Sequence, residues 1–436
     1  MMSRKVATAP SPVQSVVAVL ALLPLACSGP PAEGAARESP GEIGPTSAPV
    51  ALGIDVLMRD SLHLVRGRRV GLITNHTGVS SSSGSDVELV STIDRLHGSP
   101  ELQLVALFGP EHGIRGDADE GERIDSGRDA ATGLPIHSLY SADRKPTPEM
   151  LEGVDVLLFD IQDIGARYYT YVWTMTLAME AAGEAGIPFL VLDRPNPIGG
   201  RLVQGNVLDP AYATFVGLHP VPMRHGLTVG EMARLAAGEL GVTAELTVIP
   251  MDGWSRSDWY DDTGLAWVAP SPNMPSLASA THYPGTCLFE GTNLSVGRGT
   301  DAAFQHIGAP WLDAAVVASA LNDLGLRGVR FEPVTFTPRA PSDGKFGDEA
   351  VNGIRFVATD RERYDPTRAA LAALVEIRRA HPDRLTWFVS HFDRLAGTAD
   401  VRQAISAGQS LEAVVASWDE QVRRFERIRA PYLLYE

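Results

Sequence analysis

Two glutamates and two arginines stand in short loops stiffened by glycine or proline, where a side chain can be aimed and held. Glu111 lies in Phe108-Gly109-Pro110-Glu111-His112-Gly113, and Arg194 in Asp193-Arg194-Pro195-Asn196-Pro197. Glu290 and Arg298 share the stretch from Cys287 to Thr300, with Asn293 between them. A carboxyl group against an apolar wall and near other acids has its pKa raised, which suits general acid work near neutrality. The same glutamate could instead cap a turn. Asp160-Ile161-Gln162-Asp163-Ile164-Gly165-Ala166-Arg167-Tyr168-Tyr169 sets two acids, an arginine and two tyrosines together. Acids beside aromatics suit sugars, through hydrogen bonds to hydroxyls and stacking on C–H faces. The plainer reading is an Asp163–Arg167 pair at a helix start, worth little if exposed. Pro270-Ser271-Pro272-Asn273-Met274-Pro275 makes a further rigid turn.

Other chemistries lack their residues. There is no Walker loop, no GxGxxG after the first strand, no HExxH, no GxSxG and no cysteine cluster. Thr74-Asn75-His76-Thr77-Gly78 lacks the glycines that would let a pyrophosphate approach a helix N-terminus. Asp160, Asp163 and His112 have no established ligand spacing, so no metal is assigned. No cofactor is implied.

Parallel strands would position these loops. Four apolar runs, Val70–Ile73, Leu104–Phe108, Val154–Phe159 and Phe189–Leu192, each end in one of the polar loops. Nearly continuous apolar strands belong to parallel sheets covered on both faces, and ligands bind beyond their carboxyl ends. Helical patterns over Asp86–His97, Tyr171–Ala185 and Val229–Leu240, and a strand at Leu246–Ile249, complete a Rossmann-like α/β domain over residues 51–284. Residues 285–436 read as a smaller α/β domain. Its expected strands are Val329–Phe331 and Gly353–Val357, and its expected helices Thr367–Arg379 and Leu411–Ile428.

Residues 1–27 carry Arg4 and Lys5, an apolar stretch from Val16 to Leu23, and Ala26-Cys27. That is an export signal, too short to span a bilayer comfortably. Ala26-Cys27 suggests lipid attachment at Cys27, while Pro24 suits plain export. The expected location is the periplasm or, through a lipid on Cys27, the membrane surface. Residues 28–50 are rich in Pro, Gly, Ser and Ala and read as a flexible tether. Cys287 is the other cysteine, flanked by Thr286, Leu288 and Phe289, and reads as a buried small hydrophobe. A formal net charge of −16 argues against nucleic acid and anionic membrane as partners, and its plain reading is solubility.

Several blocks in order resemble one family. They are Thr74–Gly78, Gly109–Gly113, Phe159–Tyr169, Asp193–Pro197, Pro270–Pro275, Glu290–Ser295, Gly297–Thr300, Gly308–Trp311, Phe392–Gly397 and Tyr432–Tyr435. From about residue 52 onward the chain resembles NamZ, a glycoside hydrolase family of exo-β-N-acetylmuramidases formerly known only as a domain of unknown function. The resemblance implies a Rossmann-like domain, a smaller C-terminal domain and a cleft between them. It implies release of N-acetylmuramic acid from the non-reducing ends of peptidoglycan-derived oligosaccharides. The family's catalytic glutamate falls on Glu111; Glu290, Asp160 and Asp163 are the further acids. The substrate carries a lactyl carboxylate, which Arg167, Arg194 or Arg298 could clamp. Asn75, His112, Tyr168, Asn196, Asn273 and Asn293 complete the candidate binding set. Gln305 stands where an acid is expected and cannot ionise. The rival readings are an exported esterase or deacetylase acting on the same sugar, and a non-catalytic sugar-binding protein.

Overall fold

The computed structural model describes residues 50–81, 88–116, 126–140 and 144–436. The stretches read as an export signal and, but for its last residue, as a tether lie outside them. Alternation within each apolar run builds the first layer. Strands β1 (Arg69–Thr74), β2 (Gln103–Gly109), β3 (Gly127–Arg128), β4 (Pro135–Ser138), β5 (Val156–Asp160), β6 (Phe189–Leu192) and β7 (Leu246–Ile249) form one sheet. Their spatial order is β7-β6-β5-β1-β2-β4-β3, parallel throughout except for the last pair.

Successive side chains point to opposite faces, so each strand feeds two cores. Ile73, Phe108, Leu157, Phe159 and Val191 pack on one face with helices α2 (Tyr171–Ala185) and α3 (Val229–Glu239). Leu72, Leu107, Val156, Leu158 and Leu192 pack on the other with Ile54, Leu57 and helix α1 (Thr92–His97). Helix α1 starts later than its periodicity suggests. Leu89–Ser91 pairs as a strand with Val79–Ser81, and the Ser91 hydroxyl accepts from the Ile93 N–H to start the helix. Gly186 ends α2 in the left-handed region at φ 65°, as a glycine readily does.

The strand order reverses between β1 and β5, where open sheets bind ligands. Here side chains fill that place. Arg194 donates from Nε and Nη2 to the two oxygens of Asp160, and Thr92 donates to the same carboxylate. A void of about 10 Å³ remains beside Arg194, at the threshold for a single water.

A second, antiparallel sheet is built from β8 (His306–Ala309), β9 (Val329–Phe336) and β10 (Val351–Ala358), with β10 central. Helices α4 (Leu277–Thr286), α5 (Ala314–Asp323) and α6 (Pro366–Ala380) pack on it. Helices α4 and α6 touch closely, since a Cβ on Gly285 would stand 1.9 Å from the Pro366 carbonyl oxygen. The expected long helix from Leu411 is two, Leu411–Val414 and α8 (Trp418–Arg429), joined after α7 (Val389–Ala396) by way of Asp400–Ser406. The break lets the chain change cores. Leu411, Val415 and Trp418 face the second core, whereas Phe425 faces the first.

The chain end therefore returns to the first sheet. Tyr435 donates to Asp193 at 2.6 Å, and the Leu434 N–H donates to Glu231 at 2.9 Å. Burial pushes the Asp193 carboxyl up to about 7. A second tie crosses the seam. Arg167 is wholly buried and donates to the carbonyls of Asn206, Val221, Leu395 and Ala396 at 2.9–3.1 Å. The last two are C-terminal carbonyls of α7, which lack partners within the helix and carry its negative dipole end.

Lysine cannot reproduce that four-way fork. Arg167→Lys should therefore lower stability by about 2–4 kcal/mol, the cost of buried acceptors left unmet. Denaturant melts check this, and a loss within error would show that the seam closes without the guanidinium.

Candidate active site

Beyond the carboxyl end of β2 the backbone turns sharply. The Gly113 N–H donates to the Pro110 carbonyl at 3.1 Å, and His112 takes φ 69°. A left-handed histidine costs on the order of 1 kcal/mol, and such strain clusters at functional sites. The turn sets Glu111 and His112 on the wall of a cavity of about 440 Å³, within the range of small-molecule sites. Thr170, at the N-terminal end of α2, donates its hydroxyl to Glu111 Oε2 at 3.2 Å.

Aromatic rings line the same wall. Tyr169 meets Tyr171 and Tyr283 edge to face, with centroids 5.1 and 5.8 Å apart, and Tyr283 meets Phe304 at 4.7 Å. Tyr168 and Tyr171 bury their hydroxyls by donating to the Pro284 and Pro270 carbonyls. The rings are held as a stiff surface against which a sugar's C–H face can lie.

The second half of the chain supplies a charged part of the same cavity lining. Arg298 grips Glu290 through Nε at 2.7 Å and through Nη2. Burial works against an ionised Glu290, yet Arg298, and more weakly His391 and Lys345, hold its carboxyl below the usual glutamate range. Cys287 lies beneath, its Sγ 3.5 Å from Glu290 Oε2, and burial pushes its thiol well up. Lys345 donates to the carbonyls of Glu290 and Leu294 at 3.2 and 3.0 Å and lies 3.8 Å from Asp343. Burial lowers the lysine, with Asp343 and Glu290 opposing. His391 and Arg394 of α7 and the Phe388 ring complete this wall.

The structure thus brings Glu111, His112, Tyr168, Glu290 and Arg298 into one cavity. Other candidates lie elsewhere. Asp160 and Arg194 pair with each other at the switch point, and Arg167 closes the seam. Asp163 accepts from the Gly165 N–H at 2.7 Å, and burial pushes its carboxyl up to about 7. Asn75 folds back on Thr77, and Asn196 donates to the Leu227 carbonyl. Asn293 bridges to Arg384 and Thr386. Asn273 sits at the cavity edge, donating to Ser342 at 3.3 Å. Gln305 binds Ser279 away from the cavity, so its missing charge does not bear on this wall. Sequence reading missed Asp343, Lys345, His391 and Arg394. The Phe392–Gly397 block pointed to the helix that carries the last two. Among the described residues no group of three or more His, Cys, Asp or Glu is placed to hold a metal ion.

Known proteins match this arrangement over nearly all of its length. Residues 70–278 match the family model for the N-terminal part of the exo-beta-N-acetylmuramidase NamZ, and residues 281–435 the model for its C-terminal part. The peptidoglycan beta-N-acetylmuramidase NamZ of Bacillus subtilis is 45% identical over 387 residues, 88% of this chain and 91% of that protein. Two crystal structures of DUF1343 family proteins from Bacteroides fragilis superpose on 89% of this chain and 99% of theirs. Their TM-scores are 0.82 and 0.70, at 38% and 32% identity.

The Glu290–Arg298 pair makes a signed prediction. An ionised Glu290 held below its ordinary range adds stability that is present above the unfolded pKa and lost as pH falls through the lowered one. Arg298→Gln removes the main opponent of burial and leaves only the weaker pull of His391 and Lys345, so the carboxyl rises and its contribution at neutral pH is lost. The variant should lose on the order of 3 kcal/mol near neutrality and clearly less at about pH 4, below the ordinary glutamate value. Melts across that range test it, and in a Glu290→Gln background the pH dependence of the loss should vanish.

Proposed function

The chain belongs to the NamZ family of exo-β-N-acetylmuramidases, and we propose that its cavity releases N-acetylmuramic acid from the non-reducing ends of peptidoglycan fragments. The observation that carries this reading is Glu111, held beside a strained turn and aromatic rings in a cavity it shares with an ionised Glu290. Glycoside hydrolysis needs a proton for the leaving oxygen and stabilisation for positive charge developing at the anomeric carbon. Glu290 is fixed as an anion by Arg298, so it is a poor proton donor and a good electrostatic partner. Glu111 takes the acid role. The tyrosines orient the ring by stacking, and a cavity of this size suits one terminal sugar better than a run of chain.

Replacing Glu111 by Gln keeps shape and hydrogen bonding but removes the proton. The turnover of a natural disaccharide should fall about 10²–10⁴-fold, the usual worth of general acid catalysis, while sugar binding and the melting temperature hold. Aryl N-acetylmuramides, whose leaving groups need little protonation, should lose much less. Full activity on the disaccharide would remove Glu111 from the acid role, and uniform loss on both substrates would make it structural. A chromogenic β-N-acetylmuramide that the purified native chain leaves intact would count against the activity itself.

The reading extends to location. Export past the inner membrane, with lipid on Cys27, would hold the enzyme beside its polymer, and the acidic surface would keep it free of anionic headgroups. Metabolic labelling with a fatty-acid analogue should mark the native chain and not Cys27→Ser. An unlabelled native chain, exported all the same, would favour plain signal cleavage.

A further inference from the structure

The charged wall of the cavity holds three cations, and they differ in what satisfies them. Arg298 is matched by Glu290. Lys345 is held by two backbone carbonyls and Asp343. Among the described residues, Arg394 makes no ion pair with an acid. Its Nη2 donates to His391 Nδ1 at 2.8 Å, and its Nε is shut off from solvent with no hydrogen-bond partner. Its chain neighbour Asp393 is taken by Arg402, at 2.7 and 2.8 Å.

The same bond fixes the imidazole. A guanidinium can only donate, so His391 Nδ1 accepts and the ring carries its proton on Nε2. That nitrogen is also buried without a partner. Burial, then Arg394, lowers the histidine below its ordinary range, so the ring is neutral near pH 7. His391 and Arg394 stand three residues apart on α7 and share a face. Two N–H donors therefore lack acceptors, and one positive charge lacks a counter-charge, on one face of a ligand-sized cavity. Buried donors without acceptors are costly, and persist where a ligand supplies the acceptor.

We propose that Arg394 and His391 form a carboxylate clamp that reads the lactyl group of the muramyl substrate and so sets specificity against sugars lacking it. This rests on the amino-sugar reading above. One carboxylate supplies both missing acceptors and the missing charge, and guanidinium and carboxylate make strong charge-assisted bonds. Hydroxyls alone would leave the charge unmatched. The clamp is positioned from outside the cavity, because Arg167 holds the α7 carbonyls of Leu395 and Ala396 one turn away.

The test compares the free lactyl acid with its methyl ester in otherwise identical aryl β-N-acetylmuramides. The native chain should prefer the acid in kcat/KM by about 10- to 100-fold, the worth of a charge-assisted bidentate contact. Arg394→Gln should bring that ratio close to one, chiefly through KM on the acid, with the ester losing clearly less than the acid. His391→Asn should lower the ratio by a smaller factor, and Arg394→Lys should restore part of it. A general loss of fold or catalysis would lower both substrates together and leave the ratio standing, which would overturn the clamp. So would a native chain indifferent to esterification. Calorimetric binding of N-acetylmuramic acid against N-acetylglucosamine applies the same comparison without turnover. If the native chain bound both sugars equally, the clamp would fall; if it hydrolysed no muramide yet preferred the acid, only the enzymatic reading would fall.

Discussion

Arg167 is the constraint on which the rest depends. Its guanidinium is buried with no carboxylate beside it, a placement that burial disfavours strongly enough to lower its pKa. Carbonyl dipoles carry the compensation, those of Asn206 and Val221 and two from the end of α7. Such a charge is tolerated only while all four acceptors stay in place, so it penalises any opening of the seam. The residues that follow it, Tyr168 to Tyr171, all line the cavity. One loop thus ties the aromatic residues of the cavity to the end of the helix that carries His391 and Arg394.

A second consequence is a division among the acids. Asp160, Asp163 and Asp193 belong to the scaffold. One is neutralised by Arg194, and burial pushes the other two toward the protonated form. Glu111, Glu290 and Asp343 face the cavity. Chemically the two sets are indistinguishable, and Asp160, Asp193 and Glu111 all lie at or just beyond strand ends. What separates them is side-chain direction and the nearest arginine, which depend on chain far away in sequence.

That difference sets what could be read in advance. Strands β1, β2, β5, β6 and β7 and helices α2, α3 and α6 were legible because burial imposes periods of 2 and 3.6 on apolar residues, whereas the short edge strands β3 and β4, largely outside the apolar runs, were not. Local hydrogen bonding blurred the rest: Ser91 starts α1 late, and the break after Val414 lets one amphipathic stretch serve two cores. In the cavity, Glu111, Glu290 and Arg298 were legible because glycine and proline fix their loops. Arg167 and Arg194 stood in equally suggestive loops, yet the fold turns them inward to carbonyls and to Asp160. Nothing local marked Asp343 and Lys345, whose significance is conferred by chain more than 50 residues away, through the Glu290 carbonyl. His391 and Arg394 read as an ordinary amphipathic helix until α7 is docked.

The cavity surrounds its two glutamates differently. Arg298 and Lys345 lie on the Glu290 side, and their charge keeps that carboxylate ionised against burial. Glu111 accepts a neutral hydroxyl from Thr170 and shares its wall with the aromatic rings. The same cavity carries Arg394, whose charge a carboxylate arriving with the sugar can neutralise. Occupation by the acid substrate would then relieve an unmatched cation on the charged wall, so that binding and specificity draw on the same electrostatic imbalance.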